Sequence, residues 1–184
     1  KAYHIAGDER PGPVWVDYPM DIQGTKIPLN DLSHFKLPTK AVKSVSGSDL
    51  NKVLEMISLS ERPIFWLGHG VRLSGAAEKI TSLLEKYKFP TLISWAGLDI
   101  LEDSHSLNYG RAGVYGNRSA NFVLQNSDLI IAIGNRMAIP MIGYEHDELA
   151  RDAKIIQIDI DNDELAKTRN LADLSLECDA GIFI

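Results

Sequence analysis

Cysteine is almost missing from this chain. Cys178 is the only one in 184 residues, which excludes an internal disulfide and any metal site made of cysteines alone. The expectation is a reducing, cytoplasmic setting, with Cys178 filling core rather than acting as a nucleophile. Runs of Lys and Arg are also missing. The net charge is −6 with both signs interspersed, so no face tracks a phosphate backbone and no nucleic-acid partner is expected. No apolar run approaches the ~20 residues that cross a bilayer; the longest strongly apolar stretch is Leu129 to Ile133, and no membrane partner is expected. Lys1-Ala2-Tyr3-His4 carries neither an initiator Met nor a signal pattern, and an excised piece of a longer polypeptide is expected. Three hydrolytic or phosphate-binding signatures are absent: the G-x-S-x-G elbow, the H-E-x-x-H helix and the G-x-x-x-x-G-K-[ST] loop. His4, His34, His105 and His146 lie scattered without ligand spacing. There is no internal repeat.

Hydrophobic residues make up 45% of the chain and charged ones 24%, which suits one globular domain with a short appendage. A chain this long buries roughly two thirds of its unfolded surface and needs no disulfide or metal. The first forty residues stand apart, with Pro11, Pro13, Pro19, Pro28 and Pro38 among the eight prolines. Pro13-Val14-Trp15-Val16-Asp17-Tyr18-Pro19 reads as one short strand closed by prolines. It lacks a local partner, so it belongs to an upstream domain or patches an edge of this one. Residues 22–47 read as a connecting segment, which divides the chain into 1–47, the end of an upstream domain plus linker, and 48–184.

From Ser48, a candidate N-cap, helix and strand alternate. Leu50, Val53, Leu54 and Ile57 mark a helix, and Ile64–Leu67 a strand. A second helix carries Ala76, Ile80, Leu83, Leu84 and Tyr87. Strand Thr91–Ser94 follows, then a helix at Ser119–Gln125, strand Leu129–Ile133, a weaker helix near Asp147–Arg151, strand Ile155–Ile160, a helix capped by Asp161 or Asn162, and strand Leu174–Cys178. Short apolar strands between amphipathic helices predict an α/β fold: a doubly wound, mainly parallel sheet with helices on both faces, a Rossmann-like three-layer sandwich.

Ligands of such sheets sit at the carboxyl ends of the strands. The first such end carries Gly68-His69-Gly70, with Gly75 and Ala76 opening the helix. Its third glycine comes two positions late for G-x-G-x-x-G, and Ser94 stands where an acidic ribose partner is expected, so the NAD fingerprint fails. His69 either contacts a phosphate or ring, or caps a turn. Gly110-Arg111-Ala112-Gly113-Val114-Tyr115-Gly116-Asn117-Arg118 suits a flat anionic ligand, or a lid or interdomain contact. Gly134-Asn135-Arg136 and Asp159-Ile160-Asp161 end the next two strands; either aspartate suits a ribose hydroxyl pair or caps the following helix. Glu145-His146-Asp147-Glu148 reads as a solvated helix start.

The order of these pieces resembles thiamine-diphosphate-dependent enzymes of the acetolactate synthase, pyruvate oxidase and benzoylformate decarboxylase type. Arg10 to Asp21 resembles the segment closing their pyrimidine-binding domain. Arg62-Pro63 with Gly68-His69-Gly70 resembles the opening of their central domain. Tyr115 to Phe122, Asp128 to Arg136, Ile155 to Asp161 and Cys178-Asp179-Ala180 continue the likeness over nearly the whole chain.

The resemblance implies a three-domain parent enzyme, a transferase or lyase that decarboxylates a 2-keto acid such as pyruvate and passes the acyl group to an acceptor. Its thiamine diphosphate and Mg²⁺ would be held by absent domains, leaving this fragment inactive alone, with no catalytic or metal-binding residue. Its partners would be those other domains, the keto acid and further copies in a homo-oligomer. The family's central domain binds FAD, ADP or nothing. Its contacts carry over to Arg10, to Tyr115, Gly116, Asn121, Gly134 and Arg136, and to Asp159, Asp161 and Asp179, with Gly113 of the adjoining glycine loop a further candidate; the Gly68-His69-Gly70 loop and Asp159 either hold an ADP moiety or are relics that serve only packing. Where many flavin-binding synthases have two acidic residues and an arginine after the position of Arg136, this chain has Met137-Ala138-Ile139-Pro140. The competing readings are a free-standing nucleotide or NAD-binding module and a purely structural spacer.

Overall fold

A computed structural model describes residues 1–8, 10–28, 30, 32–39 and 43–184. The chain separates into two compact units, Lys1–Ala41 and Val42–Ile184. The connecting segment expected at 22–47 includes residues 29, 31 and 40–42, which lie outside the described residues.

The first unit carries α1 (Ala2–Gly7) and α2 (Met20–Gln23). The strand expected at Pro13–Pro19 does not form: those residues belong to no helix or strand and are exposed, with Trp15 at 92%. Proline and β-branched composition sets an extended backbone, but a strand exists only by pairing, and among the described residues of this unit no second strand meets it.

The second unit opens with α3 (Gly47–Leu59). Its cap is Ser46, not Ser48: the Asp49 N–H donates to Ser46 Oγ at 3.1 Å. Ser46 adopts the extended backbone a cap requires (φ −69°, ψ 153°) and has an acidic residue three places on. Lys52 and the Ser46 hydroxyl bond the Asp49 carboxylate and hold its pKa below the usual range.

Then follow β1 (Pro63–Leu67), α4 (His69–Leu73), α5 (Ala77–Tyr87), β2 (Thr91–Ile93) and β3 (Asn108–Gly110). After these come α6 (Arg118–Gln125), β4 (Leu129–Ile133), α7 (Ile139–Ile142), β5 (Lys154–Asp159), α8 (Asn162–Lys167), β6 (Leu174–Glu177) and α9 (Ala180–Phe183). The helix expected near Asp147–Arg151 is a single 3₁₀ turn at His146–Glu148; α7 forms upstream of it, where Pro140 lies in the first turn.

All six strands form one parallel sheet in the order β3-β2-β1-β4-β5-β6. Alternation sorts their side chains to two faces. Phe65, Leu67, Ile131, Ile133, Ile156 and Ile158 join Val53 of α3 and Ile80 and Leu84 of α5. Ile64, Trp66, Ile130, Ala132 and Ile155 join Ala120 and Leu124 of α6 and Met141 of α7. The sheet is thus covered on both sides, the doubly wound sandwich that the sequence pattern implies. Each fully buried Ile or Leu contributes about 1.5–3 kcal/mol.

At the amino edge of the central pair, Asp128 ties the turn before β1 to the start of β4. Its carboxylate accepts the Ser60 hydroxyl and the N–H groups of Glu61 and Arg62, both at 2.8 Å. Partial burial alone would raise its pKa; the Ser60 and backbone hydrogen bonds outweigh it and hold the group below the usual 3.8.

Candidate functional site

Parallel register lines up the strand ends. Leu67 pairs with Ile93 and Ile133, and Ile133 with Ile158. The next residue of each strand, Ser94, Gly68, Gly134 and Asp159, therefore stands in one row along the carboxyl edge. The strand order reverses between β1 and β4, where such folds open a crevice.

At that switch point the backbone of one loop lies against the backbone of the other. Gly68 N–H donates to Ile133 O at 2.9 Å, Gly70 N–H to Gly134 O at 2.9 Å, and Gly134 N–H to Ile158 O at 2.8 Å. A Cβ on Gly70 would lie 2.6 Å from the Gly134 Cα, and one on Gly134, whose φ is +56°, 2.7 Å from the Gly70 Cα. These glycines permit contact between the two strand tips, and the amides of Gly68 and Gly70 are occupied by the last residue of β4 and the glycine that follows it. His69 begins α4 and is exposed.

Beside this contact Asn135 is sealed at 2% exposure. Its Oδ1 accepts the Met137 N–H at 3.0 Å, which turns the chain through a left-handed residue, Met137 at φ 51°. The Gln157 side chain donates to Asn135 O at 3.4 Å, and the Thr168 hydroxyl donates to Gln157 Oε1. This buried polar column was not anticipated; the available signal was Gln157, a polar residue within the apolar run Ile155–Ile158. In contrast, the indole Nε1 of Trp66 is buried with no hydrogen-bond partner among the described residues.

Arg136, the next residue, is exposed, and its Nε lies 3.3 Å from Glu164 Oε1. Glu164 is buried at 3% and also holds Lys167 at 2.7 Å. Sequence reasoning missed Glu164 as the anchor that fixes Arg136. Asp159, 7% exposed, accepts the Asp161 N–H at 3.0 Å, while Asp161 caps α8 by accepting the Asp163 N–H at 2.9 Å. Asp179 likewise caps α9, accepting from Gly181 and Ile182.

The loop after β3 is built differently. Asn121 grips Gly113 at both ends, accepting its N–H at 2.8 Å and donating to its carbonyl at 3.1 Å. Gly113 has φ +109°, and a Cβ there would stand 2.6 Å from Pro140 O. Asn117 accepts the Arg111 N–H at 2.9 Å and donates its own N–H to Arg111 O at 2.7 Å, closing the loop. Gly116 packs on Ala112, where a Cβ would lie 2.8 Å from its carbonyl carbon. Tyr115 is exposed and stacks on Trp95 from the turn after β2, with ring centroids 5.9 Å apart at 12°.

The structure thus gathers Gly68, Gly70, Gly134, Arg136 and Asp159 along the edge. Gly113, Tyr115, Gly116 and Asn121 form a neighbouring wall that touches Pro140 and Met141. Asp179 lies beyond β6, where its N–H donates to Lys43 O at 3.0 Å. Arg10 belongs to the other unit. Among the described residues, no three His, Cys, Asp or Glu side chains gather where they could hold a metal ion. No helix among them is long and apolar enough to cross a membrane.

Residues 50–184 match the family described as thiamine pyrophosphate enzyme, central domain. The chain is 34% identical over 168 residues to the acetolactate synthase isozyme 1 large subunit of Escherichia coli (strain K12), covering 91% of this chain and 29% of that protein. It is also 34% identical over 191 residues to a probable acetolactate synthase large subunit of Methanococcus aeolicus, covering 100% of this chain and 31% of that protein. A third relative, the acetolactate synthase large subunit of Lactococcus lactis subsp. lactis (strain IL1403), is 33% identical over 172 residues, 91% of this chain and 29% of that protein. The chain therefore spans less than a third of the length of these relatives.

Proposed function

The chain belongs to the thiamine pyrophosphate enzyme central-domain family, and from that premise we propose that it is the middle domain of a longer acetolactate synthase-like enzyme. That enzyme would decarboxylate a 2-keto acid and transfer the acyl group. The carrying observation is a family match over residues 50–184, most of the second unit, in a chain that covers only 29% to 31% of the three relatives named above. Residues 1–47 would be the end of the upstream domain and a linker, and 48–184 the central domain. The longer protein would be a cytoplasmic homo-oligomer.

Thiamine diphosphate, bound with Mg²⁺ by other domains, supplies the electron sink for decarboxylation. This domain's residues are assigned support and orientation. We assign contact with FAD or ADP to side chains at the carboxyl edge: the exposed Arg136 guanidinium fixed by Glu164, the nearly buried Asp159 in its row, and the exposed Tyr115 stacked on Trp95. Gly68 and Gly70 do not fit a diphosphate cradle, because their N–H groups bond Ile133 and Gly134. That observation favours, as the second reading, a domain that binds no nucleotide and serves as a spacer. A free-standing NAD module is disfavoured by Ser94, which follows β2 where a ribose-binding carboxylate would stand.

Calorimetric titration with FAD, ADP and NAD separates the three readings. Binding of FAD or ADP that weakens about 10- to 100-fold in Arg136→Ala, the loss of a charge-assisted contact of about 1.5–3 kcal/mol, supports the assignment. Heat from none of the three supports the spacer, and tight NAD binding the module. The 184-residue chain, given pyruvate, thiamine diphosphate and Mg²⁺, is expected to show no turnover; measurable turnover would contradict the fragment reading.

A further inference from the structure

The four residues ahead of α3, Lys43-Ser44-Val45-Ser46, belong to no helix or strand, yet their exposure alternates. Lys43 and Val45 are half-buried, Ser44 and Ser46 exposed. A period of two is what an extended segment shows when one side of it lies on a surface. Here that surface is the β6 end of the sheet. Val45 packs against the core cluster that includes Leu176 and Cys178, and the carbonyl of Lys43 accepts the Asp179 N–H at 3.0 Å. The segment lies inside the second compact unit.

The side chain of Lys43 reaches further. Its Nζ donates to the carbonyl of Ile160 at 3.0 Å and lies 3.1 Å from Glu177 Oε1. Glu177 is the register partner of Asp159, and the Cys178 N–H donates to Asp159 O at 3.0 Å. One ammonium therefore joins the middle residue of Asp159-Ile160-Asp161 to the end of β6, across 117 positions of sequence. Asp159 and Asp161 fix the turn's own shape, each accepting the N–H two residues on, at 3.0 and 2.9 Å. Those bonds are local; Lys43 supplies a bond that seats the turn against β6. An ammonium with several donors suits such a bridge, and its apolar stem lies along the surface it crosses.

We propose that Lys43 is a positioning residue of the candidate ligand edge: from the segment ahead of α3 it clasps the Asp159–Asp161 turn against β6. The proposal rests on the reading of Asp159 as a nucleotide contact and adds a regulation to it. A ligand that fixes this turn and the clasp that fixes it strengthen one another by the same factor. Displacing the segment ahead of α3 then releases the turn and weakens the ligand.

Hydrogen exchange tests the clasp without any ligand. Lys43→Met keeps the apolar stem and removes the donors. In this variant the amides of Asp161 and Asp163 are expected to exchange at least about tenfold faster, while those of β1 and β4 change by less than about twofold. Lys43→Arg, which still donates, returns the turn to within about threefold of the unmodified rates. Lys79→Met is the control: Lys79 also donates to a backbone carbonyl, that of Gly181 at 3.0 Å, but away from the turn, and its loss leaves the turn amides unchanged. Equal turn rates in Lys43→Met and the unmodified chain overturn the proposal. So does an acceleration shared equally by β1 and β4, which marks lost stability and no positioning. Titration with ADP follows. Binding about tenfold weaker in Lys43→Met, with Lys43→Arg and Lys79→Met within about threefold of the unmodified chain, supports the coupling; binding untouched in Lys43→Met overturns it. Absence of ADP binding in every variant refutes the nucleotide reading, and the exchange rates then decide the clasp alone.

Discussion

The central strands β1 and β4 are fastened at both ends by opposite means. At the amino edge one carboxylate, Asp128, gathers a hydroxyl and two N–H groups. At the carboxyl edge two glycine loops meet backbone to backbone, with no side chain between them. The first fastening depends on charge and should respond to pH. The second depends on the absence of a Cβ and should not. A glycine-rich strand tip thus need not be a phosphate cradle: the same residue that lets a ligand approach also lets a neighbouring loop do so.

Gly134→Ala should produce the largest effect. It combines φ +56° with a Cβ placed 2.7 Å from Gly70, and a loss of about 3 kcal/mol or more is expected in urea unfolding. Gly75→Ala is the matched control: φ is +72° but nothing lies within 4 Å, so backbone strain alone should cost about 1–2 kcal/mol. Equal losses in the two variants would remove close approach as the reason for glycine at the switch point.

Next comes Asp128→Ala, expected to lose about 1.5–3 kcal/mol at pH 7 from hydrogen bonds to a charged acceptor. The folded-state pKa of Asp128 is lowered below 3.8. Its stabilisation is therefore complete above the unfolded value and disappears as pH falls through the folded one. Unfolding at pH 7 and again in acid well below the usual carboxylate range should show this variant converging on the unmodified chain. The Gly134→Ala deficit, being steric, should persist. Convergence of both, or of neither, would break the contrast between the edges.

Arg136→Ala should have the smallest effect on stability, within about 1 kcal/mol, because Arg136 is exposed to solvent and the buried Glu164 keeps Lys167 as its partner. Thermal melting checks it. A loss comparable to that of Gly134→Ala would make Arg136 structural rather than a ligand contact.

Much of the fold was legible in the sequence, because four strands are mainly apolar stretches and β6 alternates apolar with polar residues, all bounded by turn residues. β3 was not: Asn108-Tyr109-Gly110 is short, pairs only with β2 at the sheet margin, and has no apolar run to mark it. The segment Pro13–Pro19 misled in the opposite direction, since its composition specifies an extended backbone but cannot supply a partner. Strand ends were readable as loops, and Asp161 as a candidate cap of the helix that follows, which is the role it takes. The anchors were not, because the Asn121 clamp on Gly113 and the Glu164 hold on Arg136 depend on distances between elements far apart in sequence. Asn135 shows the same limit from another side. Its amide is near the surface in sequence terms, next to an exposed arginine, yet it is sealed within a buried polar column.

Parallel pairing has a kinetic consequence. Each strand of the sheet lies beside strands reached only through a crossover, and β1 meets its central neighbour only when Leu129–Ile133 is available. During synthesis the first apolar run must therefore wait, unpaired on one side, until most of the domain has left the ribosome. Folding should be slow for a domain of this size, with its rate set by loop closure over that separation rather than by the helices.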